Sequence, residues 1–331
     1  MKLSVIIPAF NEERYISRAI DSVFQQTQKN IELIVVDDGS IDNTAEIVKS
    51  YGAKVKYYYQ QNKGVAAARN FGIENSNGSF IAFLDADDYV LPKMYEKLLI
   101  EAQCTNSDIV LCNIYFENRN GLRIKAFNYQ ECQLDLNKPK YLDKAFRIIG
   151  DSCCNKIYRR SLVQGIRFPE LNLGEDGLFV LECLLKAKEI YCLNEPLYVY
   201  FQNPISITKS GVNYKIIEIY GQFQSRKREL ISKYNCIGIL NNALQNYYIK
   251  SFLIYANSIR QIKDTKERYL CWGKWLIINR DDYLNRTSLS IIIAVSTNIH
   301  WVYYVGMIVT CAFIDPLLKR IRNSKYYLAD S

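Results

Sequence analysis

The sequence predicts an α/β protein: an open, mostly parallel sheet with helices on both faces, followed by a helical C-terminal region. Three observations lead there. Short, wholly apolar runs recur through the first part of the chain, the mark of strands covered on both sides. Segments of helical periodicity separate them, and such strand–helix alternation builds a parallel sheet. Polar, acidic and turn-forming residues follow the end of each run, and in these sheets the ligand crevice lies outside the carboxyl ends of the strands.

The elements follow in order. "LSVIIP", Leu3 to Pro8, is the first strand. Between Glu13 and Gln26, Ile16, Ala19, Ile20, Val23 and Phe24 recur at helical spacing. "IELIVV", Ile31 to Val36, is the second strand, and "DNTAEIVKSY" opens on polar cap residues and continues as a helix. "VKYYYQ" is a third strand, "VAAARNFGI" a helix and "SFIAFLD" a fourth strand. A helix from Lys93 to Ala102 and the strand "DIVLCNIYF" come next. The strand ends lead into "PAFNEE", "DDGSIDNT", "QQNKGVAAARN" and "DADD", so acids and turn formers gather at one edge.

Composition narrows the function classes. The 331 residues carry a formal charge of +8, with the basic residues dispersed over the first half, so a nucleic-acid partner is not expected. One histidine, His300, leaves no material for a histidine metal site or a Ser-His-Asp triad. Ten cysteines are present, none as C-x-x-C, and the adjacent Cys153 and Cys154 read as small buried residues. The N-terminal apolar run is too short for a signal peptide and is broken by Pro8, which points to reduced thiols in the cytoplasm. Neither G-x-G-x-x-G nor a P-loop occurs.

The crevice edge is rich in carboxylates instead. Acids there accept hydrogen bonds from a base or from ribose hydroxyls, and they hold hard divalent cations that complete their shell with water and phosphate oxygens. In an extended turn Asp85 and Asp87 share a face, while Ala86 points away and is small enough to let a ligand approach.

Six ordered motifs carry a resemblance: "VIIPAFNEERYI", "IELIVVDDGSIDNT", "NKGVAAARNFGI", "IAFLDADD", "NKIYRRSLV" and "GEDGLFV", from Val5 to about Val180. A weaker echo follows in "LYVYFQNPISIT". The chain resembles family 2 inverting glycosyltransferases of the bacterial polysaccharide-biosynthesis type. The resemblance implies a GT-A fold, a Rossmann-like open sheet, over residues 1–210, with a nucleotide-sugar half (1–110) and an acceptor half (111–210). It implies a Mn²⁺- or Mg²⁺-dependent transfer of a hexose or N-acetylhexosamine from a UDP-sugar to a glycan or lipid-linked acceptor.

The implied roles fall residue by residue. Pro8, Ala9 and Phe10 flank the base with Asn11 and Glu12 nearby, Asp38 pairs with uracil, and Asp37 braces the turn. Gly64 and Arg69 lie close to the nucleotide, Arg69 offering its fork to base or phosphate. Asp85 contacts the ribose or sugar beside Ala86, Asp87 ligates the metal with Asp85, and Asp88 caps the following turn. Asp176 is the implied catalytic base, although spacing does not separate it from Glu175. Lys156, in the motif with Asn155 and Tyr158, orients Asp176 or binds a phosphate. Where many relatives carry arginines before the Ser-Ile-Thr segment, this chain has Phe201 and Gln202. The alternatives are a nucleotidyltransferase on a similar sheet, or a non-catalytic sugar-nucleotide-binding or membrane scaffold protein.

Residues 211–331 read as helical. Leu289 to Lys325 combines an apolar stretch interrupted by Ser296, Thr297, Asn298 and His300, the aromatics Trp301, Tyr303 and Tyr304, and a basic flank of Lys319, Arg320, Arg322 and Lys325. That order suits helices lying in a membrane surface and places the protein at the inner face of the cytoplasmic membrane. A buried helical hairpin or a dimer contact is the alternative.

Overall fold

The computed structural model describes residues 1–125, 129–171, 173–203 and 213–240, with 244, 258–259, 262–268, 270–271 and 273–275. The chain divides into two compact units, Met1–Ile205 with Lys227–Leu240, and Ser206–Arg226 with Asn241–Ser331.

The first unit opens with β1 (Leu3–Ala9), α1 (Ile16–Phe24), β2 (Ile31–Asp37), α2 (Thr44–Ser50), β3 (Lys56–Tyr59), α3 (Val65–Glu74) and β4 (Phe80–Phe83). It continues through β5 (Tyr89–Val90), α4 (Met94–Cys104), β6 (Ile109–Glu117), β7 (Arg123–Lys125), β8 (Cys132–Asp135) and α5 (Pro139–Ile148). β9 (Lys156–Arg159), α6 (Arg160–Val163), α7 (Glu175–Lys186) and β10 (Glu189–Phe201) complete the sheet, and α8 (Tyr214–Lys233) follows.

β1 lies in the middle of the parallel half, paired with β2 on one side and β4 on the other, with β3 beyond β2. All seven of its residues are buried, as a continuous apolar run requires. The full order is β3-β2-β1-β4-β9-β6-β10-β5. β9 runs antiparallel to both β4 and β6, whereas β6 and β10 are parallel. β7, β8 and β5 add antiparallel ladders, so parallel pairing governs the first half and the sheet as a whole is mixed.

Register sets the site. Ala9 pairs with Asp37, so the first two strands release their loops side by side. Ile6 pairs with Phe83, and Leu84 N–H donates to the Ile6 carbonyl before the chain leaves the sheet at Asp85. α1 starts at Ile16 rather than near Glu13 because the preceding donors are spent elsewhere: Glu12 N–H on Thr44 Oγ1 (2.8 Å) and Glu13 N–H on Asp42 Oδ2 (3.1 Å). Phe24, expected on the buried face of this helix, is 39% exposed and lies against the Tyr51 ring.

An aromatic cluster fixes α7 beneath the crevice. Phe168 and Phe179 stack with centroids 3.9 Å apart, and Phe83 meets both rings edge-on. Asn70 of α3 clamps the Phe168 backbone, donating to its carbonyl and accepting from its N–H, each at 2.9 Å. In the second unit, Tyr220 packs on the buried Trp275 with centroids 4.8 Å apart, and Lys274 pairs with Glu218.

α3 sits so close to β1 that a Cβ at Gly72 would lie 2.4 Å from Ile6 Cγ2. Gly72→Ala therefore forces helix and sheet apart, an overpacking expected to cost about 1–3 kcal/mol. A lower urea midpoint for the variant, with an unchanged m-value, is the result that checks it.

Candidate active site

The crevice is bounded by the loops after β1, β2, β3 and β4 and by the N-terminus of α7. Pro8 and Ala9 are buried at the end of β1, and Phe10 projects with 45% exposure. Asn11 takes a left-handed conformation (φ 56°), its N–H on Ser40 Oγ and its Oδ1 accepting the Ile41 N–H, both at 2.9 Å. Asn11 thus staples the first loop to the second, and Ile41 beside it is 92% exposed.

The paired acids after β2 are both braces. Asp37 accepts the Ser40 N–H (2.8 Å) and the Tyr57 hydroxyl (2.7 Å), closing the turn as expected. Asp38, expected to pair with a base, is 4% exposed and accepts Gln60 Nε2 (2.6 Å), Lys63 N–H (2.8 Å) and Gly64 N–H (2.8 Å). A carboxylate offers about four acceptor sites, so roughly one is left for a ligand. Gly64 caps α3 at φ 90° with open space where a Cβ would lie, so conformation rather than crowding requires glycine there.

The three acids after β4 separate. Asp88 N–H donates to the Asp85 carbonyl (3.1 Å), making a β-turn rather than the extended segment expected. Ala86 is buried at the turn's first corner. Asp85 accepts Arg69 Nη2 at 2.9 Å. Asp88 turns inward rather than capping the next turn: its carboxylate accepts the Tyr198 hydroxyl (2.5 Å) and the Phe201 N–H (2.8 Å), tying the end of β10 to the turn. Burial, then Asp85 and Asp87, push its carboxyl well up. Asp87 has a long contact from Asn203 Nδ2 (3.4 Å).

Burial and then Asp85 raise the Asp87 carboxyl above its ordinary range. Glu12 is pushed up to about 7 by burial, then by Asp87, Asp42 and Asp85. Both shifts come from burial first and from neighbouring carboxylates second. The donor set is carboxylate oxygen alone, which fits a hard divalent cation. Among the described residues no group of three or more such ligands is assembled, so a cation here takes one or two protein carboxylates and fills its shell from substrate and water.

Arg69 departs from its expected role. Its fork is committed to two carboxylates, Asp85 through Nη2 (2.9 Å) and Glu175 through Nη1 (2.8 Å), with its side chain 5% exposed. The guanidinium carbon lies 5.3 Å from the Phe168 ring centroid, and Nε is buried without a partner among the described residues. A cation so buried is held by the charges it pairs, and here it joins the two halves of the crevice.

The two neighbouring acids of α7 are thereby distinguished. Glu175 is bonded to Arg69, whereas half-buried Asp176 has the N–H of Gly177 on its Oδ1 (2.8 Å). Burial, then the Glu175 carboxylate, push Asp176 up to about 7, with Arg69 opposing. Lys156 is buried at the start of β9 and donates to Ser152 O and Asn155 Oδ1, both at 2.6 Å, so it organises the loop under α7. Burial lowers it to about 8, and Asp176 is among the groups that favour its charged form. Asn155 and Tyr158 of the same motif bond the backbone of Cys112 and Cys153.

Sequence reasoning missed Arg18, Tyr89, Gln60 and Phe168. Arg18 looks like any surface charge of an amphipathic helix, and the carbonyl it bonds lies 69 positions away. Gln60 stood in "QQNKG" beside Gly64, but nothing in its type marked it as the partner of Asp38.

The model of the family described as Glycosyl transferase family 2 matches residues 4–167. The chain is 30% identical over 278 residues to the cholesterol galactosyltransferase of Borreliella burgdorferi, covering 79% of this chain and 75% of that protein. The chain belongs to glycosyl transferase family 2. This family 2 chain is also 34% identical over 218 residues to the uncharacterized glycosyltransferase EpsJ of Bacillus subtilis, covering 62% of the chain and 63% of that protein. It spans less than two thirds of the length of EpsJ. S. aureus TarS residues 1–349 in complex with UDP-GlcNAc superposes with a TM-score of 0.68 at 23% identity, over 89% of this chain and 84% of that one. That likeness shows the GT-A fold, and family membership sets aside the nucleotidyltransferase reading.

Removing the Arg69 side chain leaves buried Glu175 without its partner, opposite the partly exposed Asp85. Arg69→Met is expected to destabilise the fold by about 3–5 kcal/mol, the scale for breaking a buried ion pair from one side. Equilibrium urea unfolding measures it, and Arg69→Lys should recover only part of the loss because one ammonium does not match a two-carboxylate fork.

Proposed function

We propose that the protein is an inverting glycosyltransferase that moves a sugar from a UDP-sugar to a hydroxyl of a glycan or lipid-linked acceptor, with Asp176 as general base. One observation carries this reading: Arg69 bonds both the acid turn after β4, through Asp85, and the head of α7, through Glu175, so that half-buried Asp176 stands next to that junction with its carboxyl pushed up to about 7. An inverting displacement at the anomeric carbon needs a group to take the acceptor proton and a stabilised leaving group, and no nucleophilic side chain. The likeness to TarS, which binds UDP-GlcNAc, supports the donor class.

The chain's own residues divide the work. Asp37, Asp38 and Asn11 hold the loops that flank the base, and Phe10 offers an apolar face beside them. Asp87, with Asp85, would hold a Mn²⁺ or Mg²⁺ ion. Such a cation supplies Lewis-acid stabilisation of a departing diphosphate when bound. Arg69 keeps Glu175 and Asp85 in place and leaves Asp176 to exchange a proton with the acceptor hydroxyl.

Asp176→Asn is expected to keep UDP-sugar binding and to lose transfer by about 100-fold or more. Because a base works deprotonated, kcat/KM of the wild type should fall as pH drops through about 7, the value to which Asp176 is raised. Glu175→Gln removes a charge that raises Asp176, so its acid limb should move to lower pH. A limb that stays in place in Glu175→Gln, or equal losses of binding and rate in Asp176→Asn, assigns these acids to structure instead. A UDP-sugar hydrolysis screen with Mn²⁺ identifies the donor, and binding without turnover by the wild type would favour the scaffold reading.

The membrane-docking segment 289–325 lies outside the described residues, and among those described no helix is long and apolar enough to cross a membrane. We retain the reading that this segment docks on an anionic membrane surface, on its sequence pattern of aromatics and a basic flank. Truncation before Leu289 should abolish co-sedimentation with anionic liposomes while UDP binding survives. Full-length protein that stays in the supernatant overturns it.

A further inference from the structure

Arg18 of α1 lies against the acid turn in an unusual setting. Its Nη2 donates to the backbone carbonyl of Asp87 at 2.5 Å. Its guanidinium carbon lies 4.4 Å from the ring centroid of Phe201, 4.8 Å from that of Tyr89 and 5.6 Å from that of Tyr15. The Tyr15 and Phe201 rings also touch each other, with centroids 5.4 Å apart. Nε is buried and has no partner among the described residues. A guanidinium enclosed by three rings and leaving one donor unsatisfied is held for a reason other than surface charge.

The rings come from the elements that frame the turn. Tyr89 follows Asp88 directly, Phe201 ends β10 and donates its N–H to Asp88, and Tyr15 precedes α1. Arg18 thereby ties α1 and the end of β10 to the turn that carries the Asp87 carbonyl. Its hydrogen bond falls on the Asp87 carbonyl and not on the Asp87 carboxylate. An arginine on the carboxylate would compete with a cation, whereas one on the carbonyl fixes the turn and leaves the carboxylate open.

We propose that Arg18 is a positioning residue for the cation site: caged by Tyr15, Tyr89 and Phe201, it grips the Asp87 carbonyl and so presents the Asp87 carboxylate to a divalent cation bound with the nucleotide diphosphate. The proposal rests on the reading of Asp87 as a cation ligand. The planar fork and its stacked faces are both needed, so lysine does not replace arginine here.

The test is direct Mn²⁺ binding in the presence of UDP, followed by electron paramagnetic resonance, together with UDP binding in the absence of metal. Arg18→Met keeps the apolar stem, and its Mn²⁺ dissociation constant should rise about 10-fold or more, the usual cost of losing a partner of a metal ligand. Metal-free UDP binding should stay within about twofold of wild type, because the base loops do not depend on Arg18. Arg18→Lys should not restore Mn²⁺ affinity, and Phe201→Leu, which removes one wall of the cage, should weaken it in the same direction. Phe201→Leu and Arg18→Lys decide the matter if Arg18→Met fails to fold. Wild-type Mn²⁺ affinity in Arg18→Met, or full rescue by Arg18→Lys, overturns the proposal. Asp87→Asn, measured alongside, separates the two ideas. If it binds Mn²⁺–UDP like wild type, the metal reading of Asp87 falls, and if it alone loses binding, only the role of Arg18 falls.

Discussion

The ion pairs of Arg69 with Asp85 and Glu175 are the constraint on which the crevice depends. Asp85 opens the turn after β4 in the parallel half, Glu175 begins a helix of the mixed half, and one buried guanidinium bonds both. Aligned this way, the fork does what a hydrophobic contact would not: it fixes orientation as well as distance. It also sets the chemistry next door. With Glu175 spent on Arg69, its charge still acts on Asp176, whose proton affinity is raised by burial first and by that neighbour second.

Three acids in four residues survive after β4 because their charges do not share one environment. Asp85 is neutralised by a cation of the fold, and Asp88 is taken into the interior and satisfied by a hydroxyl and an amide. Asp87 stays at the crevice with its backbone held by Arg18 and its carboxylate little engaged. The turn thus converts an unfavourable sequence into one open carboxylate, Asp87, one shared with Arg69, Asp85, and one structural tie, Asp88. Burying Asp88 without those two donors would leave an unpaired polar group at a cost of about 1–3 kcal/mol.

Much of this was legible in the sequence, and the reasons for the remainder are physical. Apolar runs such as Leu3–Pro8 and Ile31–Val36 announce strands because both faces are covered, and the acids at their ends mark the crevice by topology alone. The antiparallel insertion of β9 between β4 and β6 left no such trace, since a four-residue strand has too little pattern to declare its direction. The residue type of Arg69 marked it as a phosphate fork, but its partners lie 16 and 106 positions away, where spacing carries no information. Asp38 looked free because its donors are two main-chain amides and one glutamine in another loop. Arg18 was invisible for the same reason: a distant carbonyl and the distant rings of Tyr89 and Phe201 define it, with Tyr15 one turn away.

The wall of the crevice beside the end of β2 is main chain against main chain. Gly39, at φ 83°, brings the second loop so near the third that a Cβ would lie 2.9 Å from the backbone nitrogen of Asn62. Such a wall has no side chain to exchange, so its contour withstands substitution in every neighbour that keeps the turn. The rim above it is of the opposite kind, because Phe10 and Ile41 project into solvent and bear little of the fold. Diversification of this crevice is therefore channelled: a rigid peptide floor holds whatever the chain inherits, and the two apolar rim positions are where drift can alter selectivity without unfolding the protein.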